Sequence, residues 1–389
     1  MEEAQRLKNL PPYVFAELDR LKAIEYKKGA DLIDLGMGNP DVPPPPEVIE
    51  ALISAIREPS NSRYPTFDGC DEFRAAVVSW CKKQYGIKVD FESGIIPLIG
   101  SKEGLVHFAL AFVNPGDMTL VPMPAYPAHF RGTILAGGEP YVLPTSSGTG
   151  FLPNLDEIDP EVARKAKILF LSYPTNPTAA TADRAFFEKA VAFAKKHKII
   201  LVHDFAYAEI YFEGKKPISC LSIPGAEEVC IEFHTLSKTF GMAGWRVGFV
   251  VGNLKLIATL KKIKTNLDYG LFSAVQKAAV CAMNLSGDYL ERTRRIYQER
   301  RDIMVDGLNK LGCKTQKPSA SMYVWVPVPS GFDSTSFSMR LLEKTGIVVA
   351  PGPAFGDLGE GYVRFALVDS KERISAALSR MEKAGIRWS

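Results

Sequence analysis

The 389-residue chain reads as an α/β protein, with a mostly parallel sheet in a large domain followed by a smaller α+β domain. Three observations predict this. Between about residues 95 and 255, short apolar runs alternate with longer helical segments. Those runs are nearly continuously apolar, as strands covered on both faces must be. Beyond about residue 285 the alternation stops. The length agrees, since a single core stops growing near ~250–300 residues.

Taken in order, Pro43-Pro-Pro-Pro46 is a short rigid connector. A strand-like run ends at Gly100-Ser-Lys-Glu-Gly104, which opens the apolar helix Leu105-Val-His-Phe-Ala-Leu-Ala-Phe-Val113. Strands are expected at 119–122, 168–171, 199–203, 229–233 and 247–251. A helix begins near Asp183, where Phe187, Ala190, Val191 and Ala194 fall at i, i+3, i+4 and i+7 and build one buried stripe. The C-terminal part has helices around 287–311 and strands at 322–326, 346–350 and 362–366. A last helix runs from about Ser370.

Composition excludes several classes. Lys and Arg number 47 against 44 Asp and Glu, a net charge of +3 that gives no electrostatic case for nucleic acid. The basic run Lys261-Lys-Ile-Lys264 reads as a solvated helix face. Six cysteines (Cys70, Cys81, Cys220, Cys230, Cys281 and Cys313) form no Cys-x-x-Cys pair and are read as reduced thiols in a cytoplasmic protein. The N-terminus lacks the apolar core of a secretory signal, and no apolar run reaches the ~18–20 residues of a membrane span. The five histidines show no ligand spacing, so no metal is expected.

The chemistry concentrates in Thr235-Leu-Ser-Lys-Thr-Phe-Gly-Met-Ala-Gly-Trp-Arg246. Lys238 stands there among small hydroxylated residues and glycines, as a lysine that condenses with a carbonyl cofactor requires. Thr235, Ser237 and Arg246 offer hydroxyls and a planar fork of donors for a phosphate. Asp204 follows an apolar strand, where an open α/β sheet presents ligand-binding groups, although an aspartate there also makes a helix cap. The segment Ser172-Tyr-Pro-Thr-Asn-Pro-Thr178 carries Asn176 in a turn-forming context. Ser101 and Lys102 open a helix whose free N–H groups favour a phosphate. Tyr126 sits at a strand end between prolines, and Arg364 stands inside an otherwise apolar strand, a costly place for a charge without a partner.

These segments, in this order, resemble the class I/II aminotransferases, the aspartate-aminotransferase-like enzymes, over about residues 5 to 385. The resemblance implies the fold type I architecture with a seven-stranded sheet and pyridoxal 5′-phosphate as cofactor. It divides the chain into an N-terminal segment (1–45) packed on the small domain, a large domain (46–285) and a small domain (286–389). It implies that Lys238 forms the imine, that Asp204 pairs with the pyridine nitrogen, and that Tyr207 and Asn176 reach the ring's 3-oxygen. Tyr126 would stack on the ring, while Ser101, Lys102, Thr235, Ser237 and Arg246 would hold the phosphate. Arg364 would grip the substrate carboxylate, with Gly38, in Leu35-Gly-Met-Gly-Asn-Pro40, closing over it. Tyr64, in Arg63-Tyr-Pro65, would reach the neighbouring site of a homodimer. Ala179 stands where the family motif usually has glycine.

The implied activity is amino transfer between an L-amino acid and a 2-oxo acid. Met37-Gly-Asn-Pro-Asp41, His203-Asp-Phe-Ala-Tyr207 and Ser321-Met-Tyr-Val-Trp325 look like the alanine (glutamate–pyruvate) subgroup, which makes alanine or glutamate the expected donor. The opening segment 6–20 looks like the alternative, an LL-diaminopimelate aminotransferase of lysine biosynthesis. A pyridoxal-phosphate C–S β-lyase and a cofactor-sensing regulator domain are further alternatives. Tyr13, Phe15, Tyr269 and Phe272 are candidates for pocket aromatics or for packing at the core or dimer interface.

Overall fold

The computed structural model describes residues 2–12 and 14–388, without the side chains of residues 14–17. Its centre is a seven-stranded sheet in the order Ile95–Leu98, Gly248–Gly252, Cys230–Thr235, Ile200–Asp204, Ala166–Leu171, Met118–Met123, Glu139–Pro144. Gly248–Gly252 runs antiparallel to both neighbours; the other pairs are parallel. The apolar runs become central strands because both faces are covered. Ile168 and Phe170 point into one core with Phe108, Val202 and Phe233. Leu169 and Leu171 point into the other, against Phe187, Ala190, Val191 and Ala194 of helix Arg184–His197. That helix starts where Asp183 Oδ1 accepts the Phe186 N–H at 2.8 Å, an N-cap that satisfies one orphan donor.

Three features differ from the sequence reading. Glu139–Pro144, not among the expected strands, is an edge strand: its apolar stretch Tyr141-Val-Leu143 is short and bounded by prolines, and only Leu143 is buried. The single strand expected at 346–350 is split. Ile347–Val348 pairs in parallel with Ile33–Asp34, whereas Ala350–Pro351 joins an antiparallel three-stranded sheet with Tyr362–Ala366 and Tyr323–Pro327. Lys264 is not on a solvated face. It is buried, with Nζ against Glu103 and 2.7 Å from Asp268 Oδ2.

The C-terminal helices Asp288–Lys310, Ser334–Thr345 and Lys371–Lys383 pack around the small sheet. Ser370 caps the last of them, accepting from the Arg373 N–H at 3.2 Å. Asp31, near the N-terminal end, is held by Arg373 and Arg380 of that helix, and hydrogen bonds from the two guanidiniums draw its carboxyl down to about 2. The six cysteines are free thiols.

Candidate active site

The C-terminal ends of the parallel strands converge on one cleft of about 220 Å³. Asp204 ends Ile200–Asp204, and Thr235 ends Cys230–Thr235. Asn176 and Tyr126 lie on the loops after Ala166–Leu171 and Met118–Met123. Ser101 begins helix Ser101–Phe112, directly beyond Ile95–Leu98. The small sheet contributes Arg364, and the N-terminal segment contributes Gly38. This is the edge at which open α/β sheets bind ligands.

Lys238 projects from the one-turn helix Leu236–Thr239, which Thr235 caps by accepting the Ser237 N–H at 3.1 Å. Its Nζ donates to the Gly38 carbonyl at 2.7 Å. Burial, reinforced by the positive charges of Arg364 and Arg246, pulls the amine from its ordinary 10.5 to about 7. A large fraction of this lysine is therefore an uncharged nucleophile at neutral pH.

Arg364 is 2% exposed and lies between the rings of Tyr323 and Phe355, at 4.2 and 4.6 Å. It donates to Asn176 Oδ1 and to the Gly36 carbonyl, each at 2.6 Å. With Asn176 Oδ1 engaged, the amide nitrogen is the atom left to donate into the cleft. Asn176–Pro177 is a cis peptide bond, as are Tyr173–Pro174 and Met123–Pro124. Ala179 adopts a φ of 58°, the left-handed region a glycine enters without a Cβ penalty.

Arg246 enters the cleft beside Gly100, where an added Cβ would collide with its guanidinium. Lys102, exposed, and Ser237, buried, complete the cationic and hydroxylated rim. Tyr64 is elsewhere: it is 81% exposed and packs on Tyr269 with ring centroids 4.3 Å apart. Tyr269 and Phe272 share that surface hollow with Tyr64 and do not line the cleft. Tyr13 and the Phe15 side chain lie outside the described residues.

The family model described as "Aminotransferase class I and II" matches residues 30–381. The chain belongs to the class I and II aminotransferases. It is 49% identical over 381 residues to the LL-diaminopimelate aminotransferase of Syntrophobacter fumaroxidans, covering 98% of each chain. It is also 49% identical to LL-diaminopimelate aminotransferase 2 of Trichormus variabilis, covering all of both. Among solved structures it is similar to substrate-bound BacF from Bacillus subtilis, with TM-score 0.97 and 38% identity over 100% of this chain and 99% of that one. The protein is thus a pyridoxal-phosphate-dependent aminotransferase of the type I fold.

The cleft of this aminotransferase fits its cofactor. Asp204 is 4% exposed; its Oδ2 meets His129 Nε2 at 3.0 Å, but its Oδ1 has no hydrogen-bond partner among the described residues. A buried carboxylate oxygen without a donor is costly, and a ring N–H⁺ would satisfy it. Phosphate, for its part, suits the helix start at Ser101 together with Lys102 and Arg246.

Sequence reasoning missed three participants. His129 holds Asp204 from helix Pro127–Leu135; nothing in its spacing marks it, because the pair is 75 residues apart. Tyr323 accepts or donates a hydrogen bond with the Tyr207 hydroxyl at 2.9 Å. Glu232 is fully buried between His203 Nδ1 at 2.8 Å and His234 Nε2 at 2.9 Å, in a layer behind Asp204 and Thr235. Burial resists its ionisation, yet hydrogen bonds from the two imidazoles outweigh that and draw it to about 2. The fold also gathers Glu103, His107 and Asp268, where the Lys264 ammonium already balances the carboxylates.

Proposed function

We propose that this aminotransferase takes its amino group from LL-diaminopimelate and passes it to a 2-oxo acid. The observation that carries the donor is the full-length similarity, 47–49%, to aminotransferases named for LL-diaminopimelate. It favours that alternative over the alanine or glutamate expected from the motifs around Met37, His203 and Ser321.

Pyridoxal phosphate supplies an aldehyde that condenses with amines and a ring that takes up the electron pair released at the donor's Cα. The chain's residues do the rest. Lys238 Nζ, uncharged in a large fraction near pH 7, takes up the Cα proton. Asp204 keeps a proton on the ring nitrogen, and His129 fixes the carboxylate that does so. Tyr207 and the Asn176 amide donate to the 3-oxygen, while Tyr126 covers the ring. Ser101, Lys102, Thr235, Ser237 and Arg246 hold the phosphate. Gly38 lies where the donor's carboxylate meets Arg364. A second copy of the chain brings its tyrosine at position 64 to the neighbouring site, which makes the assembly a homodimer. None of the described helices is long and apolar enough to cross a membrane.

Arg364 grips the donor's α-carboxylate. Its fork, held by Asn176 and Gly36, presents two parallel donors that a lysine ammonium cannot reproduce. Arg364→Lys is therefore expected to raise KM for the amino donor about 10–100-fold with a smaller change in kcat. Steady-state kinetics check this; an unchanged KM would remove Arg364 from the carboxylate.

The donor is tested by titrating the purified holoenzyme with LL-diaminopimelate, alanine or glutamate in the absence of a 2-oxo acid. Bleaching of the cofactor's visible band by LL-diaminopimelate at the lowest concentration is the expected result. A stronger response to alanine or glutamate overturns the donor. Release of pyruvate and ammonia from a cysteine-type substrate, with no need for an acceptor, points instead to the β-lyase.

A further inference from the structure

Tyr323 is 2% exposed and links two groups of the cleft that come from distant parts of the chain. Its ring lies 4.2 Å from the Arg364 guanidinium, and its hydroxyl is 2.9 Å from that of Tyr207. The meeting of the two phenols is set by backbone. Ser321 N–H donates to the Ile210 carbonyl at 2.8 Å, Phe212 N–H donates to the Ser319 carbonyl at 2.8 Å, and Tyr211 bridges Ala320 between them. This antiparallel clasp joins the segment just after Tyr207 to the segment just before Tyr323.

The direction of the phenol–phenol hydrogen bond follows from the placement of Tyr207 at the cofactor's 3-oxygen. Each hydroxyl has one proton. Both residues line the cleft, and each hydroxyl has the other as its hydrogen-bond partner among the described residues, so whichever phenol donates, the other's proton is left for the cleft. A Tyr207 that donates to the 3-oxygen has its one proton free for it only when Tyr323 donates to Tyr207. Burial, and then the neighbouring Tyr323, push the Tyr207 phenol well above its ordinary 10, so it keeps that proton.

We propose that Tyr323 is a positioning residue: by donating to the Tyr207 oxygen it aims the Tyr207 proton at the cofactor's 3-oxygen while its ring seats Arg364. The inference rests on the placement of Tyr207 at that oxygen. A donor to the 3-oxygen stabilises its deprotonated form, and a donor that is itself hydrogen-bonded is stronger and better aimed. Removing the Tyr323 hydroxyl therefore raises the pH at which that oxygen loses its proton.

The test is a pH titration of the holoenzyme's visible absorbance, without amino donor, for the parent, Tyr323→Phe, Tyr207→Phe and the double variant. Tyr323→Phe removes the hydroxyl and keeps the ring that lies 4.2 Å from the Arg364 guanidinium. The expected result is an absorbance midpoint raised by about 0.5–1 pH unit in Tyr323→Phe. A larger rise is expected in Tyr207→Phe, with no further rise in the double variant. An unshifted Tyr323→Phe beside a shifted Tyr207→Phe overturns the proposal alone, as do shifts that simply add. An unshifted Tyr207→Phe overturns the placement of Tyr207 and the proposal with it. None of these outcomes depends on which amino acid is the donor.

Discussion

Replacing Lys238 by alanine is expected to lower amino transfer by more than about 10⁴-fold while the protein still folds. Both functions proposed for Lys238 would disappear together: the amine that condenses with the cofactor and the base that receives the Cα proton. Nothing else in the cleft substitutes, since Lys102 is exposed on the rim and Arg246 and Arg364 do not deprotonate. Stability should respond in a pH-dependent way in the cofactor-free protein. The folded amine titrates near 7 and the unfolded one near 10.5, because burial comes first and the charges of Arg364 and Arg246 add to it. Between those values the unfolded state binds the extra proton, so stability rises with pH across that window. Below about 7 the parent carries the cost of a half-buried, desolvated ammonium that the alanine variant lacks. The variant's Tm relative to the parent's should therefore be highest near pH 6–7 and fall steadily toward pH 10. Turnover within ten-fold of the parent would remove Lys238 from the chemistry; a Tm difference independent of pH would contradict the lowered amine.

Asp204→Asn is expected to lower kcat about 10³-fold, the scale of removing one preorganised electrostatic group from a buried site. The amide preserves the shape and can still meet His129. It cannot keep a proton on the ring nitrogen, because it carries no charge to stabilise a cation. The buried position makes the loss large: Asp204 is 4% exposed, and water does not replace the missing charge there. Steady-state kcat and the affinity for pyridoxal phosphate, measured in the same preparation, check this. The first should collapse, whereas the second should fall far less, since Ser101, Lys102 and Arg246, proposed to hold the phosphate, are untouched. A kcat within ten-fold of the parent would show that the carboxylate does not serve the ring.

Much of the molecule was legible in the order of its residues, for local reasons. The central strands announce themselves because both faces are buried, so they are apolar throughout; the helix after Asp183 does so through its cap and stripe. Lys238 and Arg246 lie on one short stretch whose glycines and hydroxyls can be read as a unit. The tertiary structure alone decided what depends on distant partners. Glu139–Pro144 is hidden because its apolar stretch is short and bounded by prolines, which an edge strand tolerates. The antiparallel course of Gly248–Gly252 is invisible because its apolar pattern is the same in either direction. Lys264 reads as a surface charge until Glu103, 161 residues away, is brought against it. His129 under Asp204, and Tyr323 between Tyr207 and Arg364, have no local signature at all. Spacing along a chain encodes which face a side chain occupies on its own element; which side chain from another element meets it there is settled only when the sheet and its helices close over the cleft.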